Sequence, residues 1–280
     1  MKIKEKSLKK TKKLNKDKQI IGYLDQTYCD KNGPPQTLHK KGHKNILEDN
    51  GKRIHQTAIG FQAINGKSYV SFPQNSRSHN MMIFAAEVRA RNLKNKELKP
   101  YIDCVLYDSS VNRINIISKL NFKTIGVESL NKNIKEIGEK KGYKKNFIKS
   151  VNKLIFKERK NTDFAIDELI RYELLENADC VNLDKLLENE KEIVFILDNY
   201  KPHHNPEFKK FCEILKIKLI YLPAYTPQYN PIEQVWKSIK RIIYDPTIST
   251  KNEIIKIFKE EFYKIIYNES FFKKWEEKFL

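Results

Sequence analysis

The chain has no apolar segment long enough to cross a bilayer and no N-terminal signal for secretion. A membrane-spanning helix needs about 20 predominantly apolar residues, and no run in the 280 residues approaches that length. The N-terminus, MKIKEKSLKKTKK, lacks the apolar centre of a signal peptide. We therefore expect a soluble, intracellular protein without a membrane partner, in the cytoplasm or nucleoid of a prokaryote or the nucleus of a eukaryote.

Cysteine and arginine are scarce. The four cysteines stand far apart and form no CxxC pair, which fits neither a disulfide framework nor a zinc site. Only eight of the 54 basic residues are arginine, so lysine carries most of the positive charge. Lysine suits diffuse attraction to phosphate better than the bidentate reading of bases.

Positive charge is abundant, with a formal net charge of +19. Such a charge favours a polyanionic partner, nucleic acid first and an acidic membrane surface second. Residues 1–18 hold nine lysines against two acids and are expected to form a basic arm. Residues 131–160 hold ten lysines and Arg159 against three glutamates. This second segment is either a solvated helical face or a contact surface for a nucleic-acid backbone.

The spacing of apolar residues predicts both strands and helices. Short apolar runs predict strands near residues 19–25, 56–63, 67–72, 193–198 and 217–222. Apolar residues at intervals of three and four predict a helix from about Ser78, a helix over 206–215, and a helix in the C-terminal segment NEIIKIFKEEFYKIIYN. The segment DKNGPPQTLHKKGHKN is interpreted as irregular, because it is polar and contains glycine and proline.

Three acidic residues stand at the ends of predicted elements. The strand IIGYL ends at Asp25, the strand EIVFIL ends at Asp198, and Glu233 opens a helix after the loop LPAYTPQYNP. A carboxylate beside a buried strand is costly unless it is hydrogen-bonded, paired with a cation or bound to a metal. Each acid also has a simpler explanation. Asp25 and Asp198 can cap turns, and Glu233 can close a capping box in which Asn230 is the N-cap and Pro231 the first helical residue.

Convergence of three carboxylates in a basic protein favours metal-dependent chemistry on nucleic acid. Carboxylate oxygens suit Mg²⁺ or Mn²⁺, and two such ions can activate an attacking oxygen and stabilise a leaving oxygen during phosphodiester cleavage. The prediction is therefore that Asp25, Asp198 and Glu233 bind two Mg²⁺ or Mn²⁺ ions, without an organic cofactor.

The segment 192–241 resembles a known family. LDNYKPHH followed by LPAYTPQYNPIEQVWKSIKR is similar to the second half of the catalytic domain of mariner-like DDE transposases. The matching features are a hydrophobic strand ending in Asp-Asn, a histidine five residues after Asp198, the Leu-Pro loop, and Asn-Pro-Ile-Glu with a tryptophan three residues later. Because 233 − 198 = 35, thirty-four residues separate Asp198 from Glu233, which is the family's spacing.

The resemblance implies which residues are catalytic. Asp198 would be the second acid and Glu233 the third. Asp25 would be the first, although Gln26 stands where the family usually has an acid. Asp103 and Asp108 are the alternatives for the first acid.

Other residues of the motif carry weaker expectations. Asn199, His203 and Asn230 are candidates for supporting the acids or contacting DNA, and for His203 a purely structural role is equally open. Trp236 follows Glu233 by three residues and lies roughly on the same side of the helix; it is expected in the core rather than stacked on DNA.

The resemblance also implies a fold and a domain organisation. The fold would be α/β, a ribonuclease H-like mixed sheet flanked by helices and interrupted by a mainly helical insertion. We divide the chain into the basic arm at 1–18, the first part of the catalytic domain at 19–99, the insertion at 100–190, and the second part of the catalytic domain at 191–280. The insertion accounts for the interval of 198 − 25 = 173 residues, which is longer than the family's.

The activity implied is metal-dependent cleavage at transposon ends, followed by attack of the freed 3′ hydroxyl on target DNA. The expected partner is double-stranded DNA, bound by a homodimer. Family members place helix-turn-helix modules before the first acid, but only 24 residues precede Asp25. We therefore expect a separate helix-turn-helix protein as a possible partner. The alternatives are a catalytically inactive or domesticated DNA-binding protein derived from a transposase, and a ribonuclease H-like nuclease that acts on other nucleic acids.

Overall fold

The computed structural model describes residues 14–31, 38–40, 43–45, 54–106, 162–224, 226–244, 248 and 250–268. The chain divides into two compact units. The first, called here the sheet unit, consists of Met1–Ser76, Glu192–Tyr200 and Lys218–Leu280. The second, the helical unit, consists of Arg77–Lys191 and Lys201–Ile217. Most of the basic arm and all of residues 131–160 lie outside the described residues.

Seven strands are described. They are β1 (Gln19–Lys31), β2 (Leu38–Lys40), β3 (His43–Asn45), β4 (Ile54–Ala63), β5 (Tyr69–Ser71), β6 (Glu192–Leu197) and β7 (Ile217–Tyr221). Five of them form one sheet in the order β5-β4-β1-β6-β7. Strand β4 is antiparallel to β1 and β5, whereas β6 is parallel to β1. All five predicted strands are therefore confirmed, and the predicted class, a mixed ribonuclease H-like α/β sheet, is confirmed with them.

Strands β2 and β3 correct one prediction. They pair as a separate antiparallel hairpin within the segment that was interpreted as irregular. Their sequences, LHK and HKN, contain a single apolar residue between them. Because the alternation of apolar and polar residues is the main sequence signal for a strand, such short polar strands leave no trace in the pattern.

Four helices with the following bounds lie in the helical unit. They are α1 (Ser78–Arg91), α2 (Thr162–Cys180), α3 (Leu183–Leu186) and α4 (Pro206–Ile214). Helices α1, α2 and α4 pack on one another. The helices predicted from Ser78 and over 206–215 are thereby confirmed. The described parts of the predicted insertion are also mainly helical, while its boundaries stay a prediction.

The alternative first acids do not stand at strand ends in the described part of the chain. Residues 99–106 are helical, and Asp103 forms an exposed ion pair with Lys99 one turn before it. The apolar run in YIDCVLYD belongs to a helix, because Ile102 and Val105 are buried three residues apart. The suggestion that Asp103 ends a strand is therefore wrong. Asp108 lies outside the described residues.

Two helices cover one face of the sheet. Helix α5 (Ile232–Ile243) buries Ile232, Val235, Trp236, Ile239 and Ile243, and α6 (Lys251–Ile266) buries Ile254, Phe258 and Phe262. They share one core with residues of the same sheet face, such as Ile21, Tyr23, Val194 and Ile196. The C-terminal helix is confirmed, and its start is a capping box between Thr250 and Glu253. None of the helices described is long and apolar enough to cross a membrane.

Candidate active site

The first two acids stand side by side because of the register between β1 and β6. These strands are parallel, and their last paired residues are Leu24 and Leu197. Asp198 is the first residue after β6, whereas Asp25 lies within β1, which continues to Lys31 beside β4. The predictions that the strand ends at Asp25 and that Asp25 can cap a turn are therefore wrong, because pairing with β4 extends β1 beyond its apolar part. Residues in register on parallel strands point to the same face of the sheet. Asp25 is buried, with 3% of its surface exposed, while Asp198 is partly exposed.

The third acid is placed by the loop between β7 and α5. Leu222 donates its N–H to the carbonyl of Leu197 at 2.8 Å, and Asn199 Nδ2 donates to the carbonyl of Leu222 at 2.6 Å. These two bonds fasten the start of the proline-rich loop to the end of β6. Within the loop, Thr226 Oγ1 donates to the carbonyl of Pro223 at 2.6 Å. Glu233 then lies in the first turn of α5.

Asp198 and Glu233 share a cleft. Its volume is about 380 Å³. The lining residues are Asp198, Asn199, Tyr200, Leu222, Pro223, Ala224, Thr226, Asn230 and Glu233. Asn199 and Asn230, two of the residues predicted to support the acids, therefore lie where such a role requires them.

The start of α5 differs from the prediction. The residue before the helix is Pro231, and no side chain caps the helix. Asn230 contributes its backbone carbonyl, which accepts from Glu233 N at 3.2 Å. Its Oδ1 has no hydrogen-bond partner among the residues that the structure describes. The capping-box explanation of Glu233 is therefore wrong. Pro231 already has helical dihedral angles, with φ of −64° and ψ of −26°, and the N–H of Glu233 bonds to the Asn230 carbonyl instead of to a side chain.

The charges of Asp198 and Glu233 act on Asp25. The pKa of Asp25 is raised well above its usual value, first by burial and then by the charges of Glu233 and Asp198. Hydrogen bonds from the Gln26 backbone and from the Trp236 side chain oppose the rise in the pKa of Asp25. Burial and like charge together mean that Asp25 keeps its proton to higher pH than an ordinary aspartate.

Asp198 is held by its own turn. Its Oδ1 accepts from Tyr200 N at 3.1 Å, the local pattern by which aspartate stabilises a turn. The turn-capping explanation of Asp198 is thus correct as far as it goes. One carboxylate oxygen suffices for the turn, so capping and metal binding are compatible.

Trp236 reaches the first acid, which sequence reasoning missed. The prediction that it lies in the core is confirmed, because only 2% of its surface is exposed. In addition, its Nε1 donates to Asp25 Oδ2 at 3.0 Å. One sequence signal existed: a buried indole N–H requires an acceptor, and Trp236 follows Glu233 by less than one helical turn.

A hydroxyl cluster next to Asp198 was also missed. The hydroxyls of Tyr28 and Ser76 are hydrogen-bonded, and both are within reach of Tyr200 Oη, at 3.3 Å from Tyr28 and 3.0 Å from Ser76. Tyr28 also stacks on His55. These residues come from β1, β4 and two loops, so no local pattern announces them.

His203 is placed away from solvent. It belongs to a short 3-10 turn, Lys201–His204, in the helical unit. The imidazole is fully buried, with its ring 6.1 Å from the ring of Phe208. Such a position suits a structural role, and contact with a phosphate would require exposure.

The donor set fits Mg²⁺ or Mn²⁺ in kind. All three acids offer carboxylate oxygens, the ligands that these ions prefer, and a cation would offset the repulsion that raises the pKa of Asp25. As the side chains stand, however, the described residues include no group of three histidines, cysteines, aspartates or glutamates close enough to hold a metal ion. Metal binding therefore requires the carboxylates to converge further.

The comparisons with known proteins agree with the motif. Residues 130–255 match the family of DDE superfamily endonucleases. This match covers less than half of the chain, includes Asp198 and Glu233, and begins well after Asp25. It supports the DDE superfamily and the similarity to nucleases, without distinguishing the mariner-like group. The comparison with curated proteins and the comparison with solved structures each gave no match.

Proposed function

We propose that this chain is the catalytic domain of a mariner-like DDE transposase that cleaves DNA at transposon ends and joins the freed ends to target DNA. Asp25, Asp198 and Glu233 are its catalytic acids. The observation that supports this most strongly is the meeting of Asp198 and Glu233 in one cleft, with Asp25 in register beside Asp198. The match of residues 130–255 to DDE endonucleases points to the same chemistry.

The three acids would hold two Mg²⁺ or Mn²⁺ ions, which stabilise the attacking and leaving oxygens of a phosphodiester displacement. The chain's own residues supply the geometry. Tyr200 N–H restrains Asp198, Trp236 restrains Asp25, and the anchored loop presents Glu233 to the cleft.

The reaction has two displacements at phosphorus. In the first, the oxygen of water bonds to phosphorus and the bond from phosphorus to the 3′ oxygen breaks, so that the 3′ oxygen takes up a proton and becomes a hydroxyl. In the second, that hydroxyl loses its proton as its oxygen bonds to a phosphorus of the target, and the target's own 3′ oxygen leaves and takes up a proton. Neither step needs a covalent bond to the protein.

A basic stripe on α5 supports double-stranded DNA as the substrate. Lys237 and Arg241 follow Glu233 at intervals of four residues, and both are exposed. Residues four apart lie on the same side of a helix, so the stripe leads away from the cleft along one face. Lys240 adds a third positive charge beside it. Such a stripe suits contact with successive phosphates.

The direct test measures Mg²⁺-dependent cleavage of DNA that carries the ends of the element. Asp198→Asn removes a charge from the cleft while leaving the lysines in place, so cleavage should fall at least about 100-fold and DNA affinity without metal should stay or rise slightly. Asp184→Asn, an exposed aspartate in α3 of the helical unit, is the matched control and should cleave at the wild-type rate. Wild-type cleavage by Asp198→Asn contradicts the assignment.

A second candidate is a transposase-derived protein that binds DNA without cutting it. The observation that favours it is that the described acids are not gathered closely enough for a metal ion. Retention of Asp25, Asp198 and Glu233 favours catalysis instead. Salt-dependent DNA binding with no cleavage in Mg²⁺ or Mn²⁺ would select this second candidate, and cleavage of RNA–DNA hybrids instead of element ends would select a ribonuclease H-like nuclease.

We also propose that the active form is a homodimer on DNA. Light scattering of the complex with an end fragment should give two copies of the chain, and a single copy would contradict the dimer.

A further inference from the structure

Trp236 and Asp25 are 211 positions apart in the sequence and are in direct contact in the sheet unit. The indole Nε1–H donates a hydrogen bond of 3.0 Å to Asp25 Oδ2, and both side chains are buried. A hydrogen bond to a carboxylate limits its rotation and favours its charged form. The orientation of Asp25 therefore depends on α5, the same helix that carries Glu233.

Gly60 leaves room for the indole on the sheet. It lies on β4 directly opposite Asp25 in the antiparallel register. A Cβ atom at position 60 would be 2.4 Å from Cη2 of Trp236 and 2.8 Å from Cζ2. Atoms do not approach this closely without displacement. The absence of a side chain at position 60 thus allows the six-membered ring of Trp236 to lie against β4 at the level of Asp25.

Helix α6 holds the indole on its other side. The ring of Phe262 is 5.6 Å from that of Trp236 and stacks at an interplanar angle of 21°. The ring of Phe258 is 5.4 Å away and tilted by 45°. The indole is therefore fixed by packing on both sides, and its N–H has a constant direction relative to β1.

We infer that Trp236 is a positioning residue for Asp25, which it aims for metal binding, and that Gly60 is required for its approach. This inference rests on the proposed function, in which Asp25 is a metal ligand. Trp236 itself touches no reacting atom. It acts through the carboxylate, as partners of metal ligands do when they fix the direction of the ligand atom.

The first experiment measures Mn²⁺ binding to the full chain without DNA, by the electron paramagnetic resonance signal of free Mn²⁺. Trp236→Phe keeps an aromatic ring and removes the N–H, and it should weaken Mn²⁺ binding about 10- to 100-fold. Ile239→Val is the matched control, because it removes a methyl group from the same buried face of α5 and leaves the Trp236 N–H and its packing against Phe262 in place. It should keep Mn²⁺ affinity within about twofold of wild type, while stability falls in both variants.

The outcomes separate positioning from packing. Weaker binding in Trp236→Phe alone supports the inference. Equal losses in the two variants, or unchanged binding in Trp236→Phe, overturn it. If the wild-type chain neither binds Mn²⁺ nor cleaves DNA, the proposed function fails and the inference fails with it. Wild-type binding with an unaffected Trp236→Phe overturns the inference alone.

A second experiment keeps Trp236 in place and uses its fluorescence. The sequence has two tryptophans, so Trp275→Phe leaves Trp236 as the single indole fluorophore. Its emission should shift when Mg²⁺ is added, because the Asp25 carboxylate that accepts its hydrogen bond then also binds the metal ion. Adding Asp25→Ala to that chain should abolish the shift, and Gly60→Ala should reduce it together with Mn²⁺ affinity. An emission unchanged by saturating Mg²⁺, or a shift retained in Asp25→Ala, overturns the inference.

Discussion

The guanidinium of Arg89 donates from Nη2 to the backbone carbonyl of Lys216 at 2.7 Å. Lys216 has a φ of 54°, in the left-handed region that residues with a side chain seldom adopt. The same guanidinium donates to the carbonyls of Leu215 at 2.8 Å and Lys191 at 2.9 Å. One buried side chain in α1 thus donates hydrogen bonds to three backbone carbonyls of the helical unit.

Replacement of Arg89 should destabilise the protein strongly. Arg89→Met fills much of the same space but leaves three carbonyls without this donor, so the free energy of unfolding should fall by about 2–4 kcal/mol. Arg89→Lys should recover little of it, because an ammonium group cannot span the three acceptors as a planar guanidinium does. Urea denaturation measures both changes. Arg91→Met, at an exposed position of the same helix, should change stability by no more than about 0.5 kcal/mol.

The raised pKa of Asp25 predicts how the stability of the metal-free protein depends on pH. Burial and the neighbouring charges of Glu233 and Asp198 raise the pKa of this carboxyl group. The unfolded chain releases the proton near the ordinary pKa of about 4, while the folded protein retains it to higher pH. The stability that Asp25 contributes should therefore be fully present below about pH 4 and fall by up to about 1.4 kcal/mol per pH unit as pH rises through the folded-state pKa.

Melting temperatures in EDTA across that pH range measure the effect. Asp25→Asn cannot titrate at this position, so its melting temperature should fall less with pH than that of the wild type. Saturating Mg²⁺ should stabilise the wild type more at high pH than at low pH, because binding displaces the proton. Parallel pH curves for the wild type and Asp25→Asn in EDTA would show that Asp25 has an ordinary pKa.

The basic stripe on α5 predicts a change in the salt dependence of DNA binding. Each phosphate contact on duplex DNA contributes about −0.9 to the slope of log K against log salt. The double variant Lys237→Gln, Arg241→Gln should therefore flatten the slope by about 1.8. The matched control is Lys256→Gln, Lys259→Gln, which removes two exposed lysines from α6. If both pairs change the slope equally, the stripe has no special role.

Asn199 should control the loop that presents Glu233. Asn199→Ala removes the hydrogen bond to the Leu222 carbonyl, and the proline loop should open more often. Amide hydrogen exchange in residues 222–234 should become faster, and Mg²⁺-dependent cleavage should fall about 10-fold. Affinity for DNA without metal should remain unchanged. Unaltered exchange at these amides would mean that the backbone bond from Leu222 to Leu197 holds the loop without help.

Continuous patterns in the sequence determined the strands of the main sheet and the helices α1, α4 and α6. Strand β6 and residues 20–24 of β1 are apolar because both of their faces are buried, as for Ile21 and Leu24. Helix α6 shows its buried face through apolar residues at intervals of three and four. Asp198 and Glu233 were identified by a local motif, since both lie within fifty residues of one another.

Contacts between distant segments were decided by the tertiary structure. The bond from Trp236 to Asp25 depends on the register that sets Gly60 opposite Asp25 and on the packing of α6, and no window of the sequence contains all of these residues. Arginine side chains are usually exposed. Arg89 is buried because the fold brings three backbone carbonyls together around its guanidinium. Asn230 also accepts from Glu233 N through its backbone carbonyl instead of through its side chain, although the sequence favoured a side-chain cap. Local patterns report which residues are apolar, while polar partners are chosen by the three-dimensional arrangement that buries them.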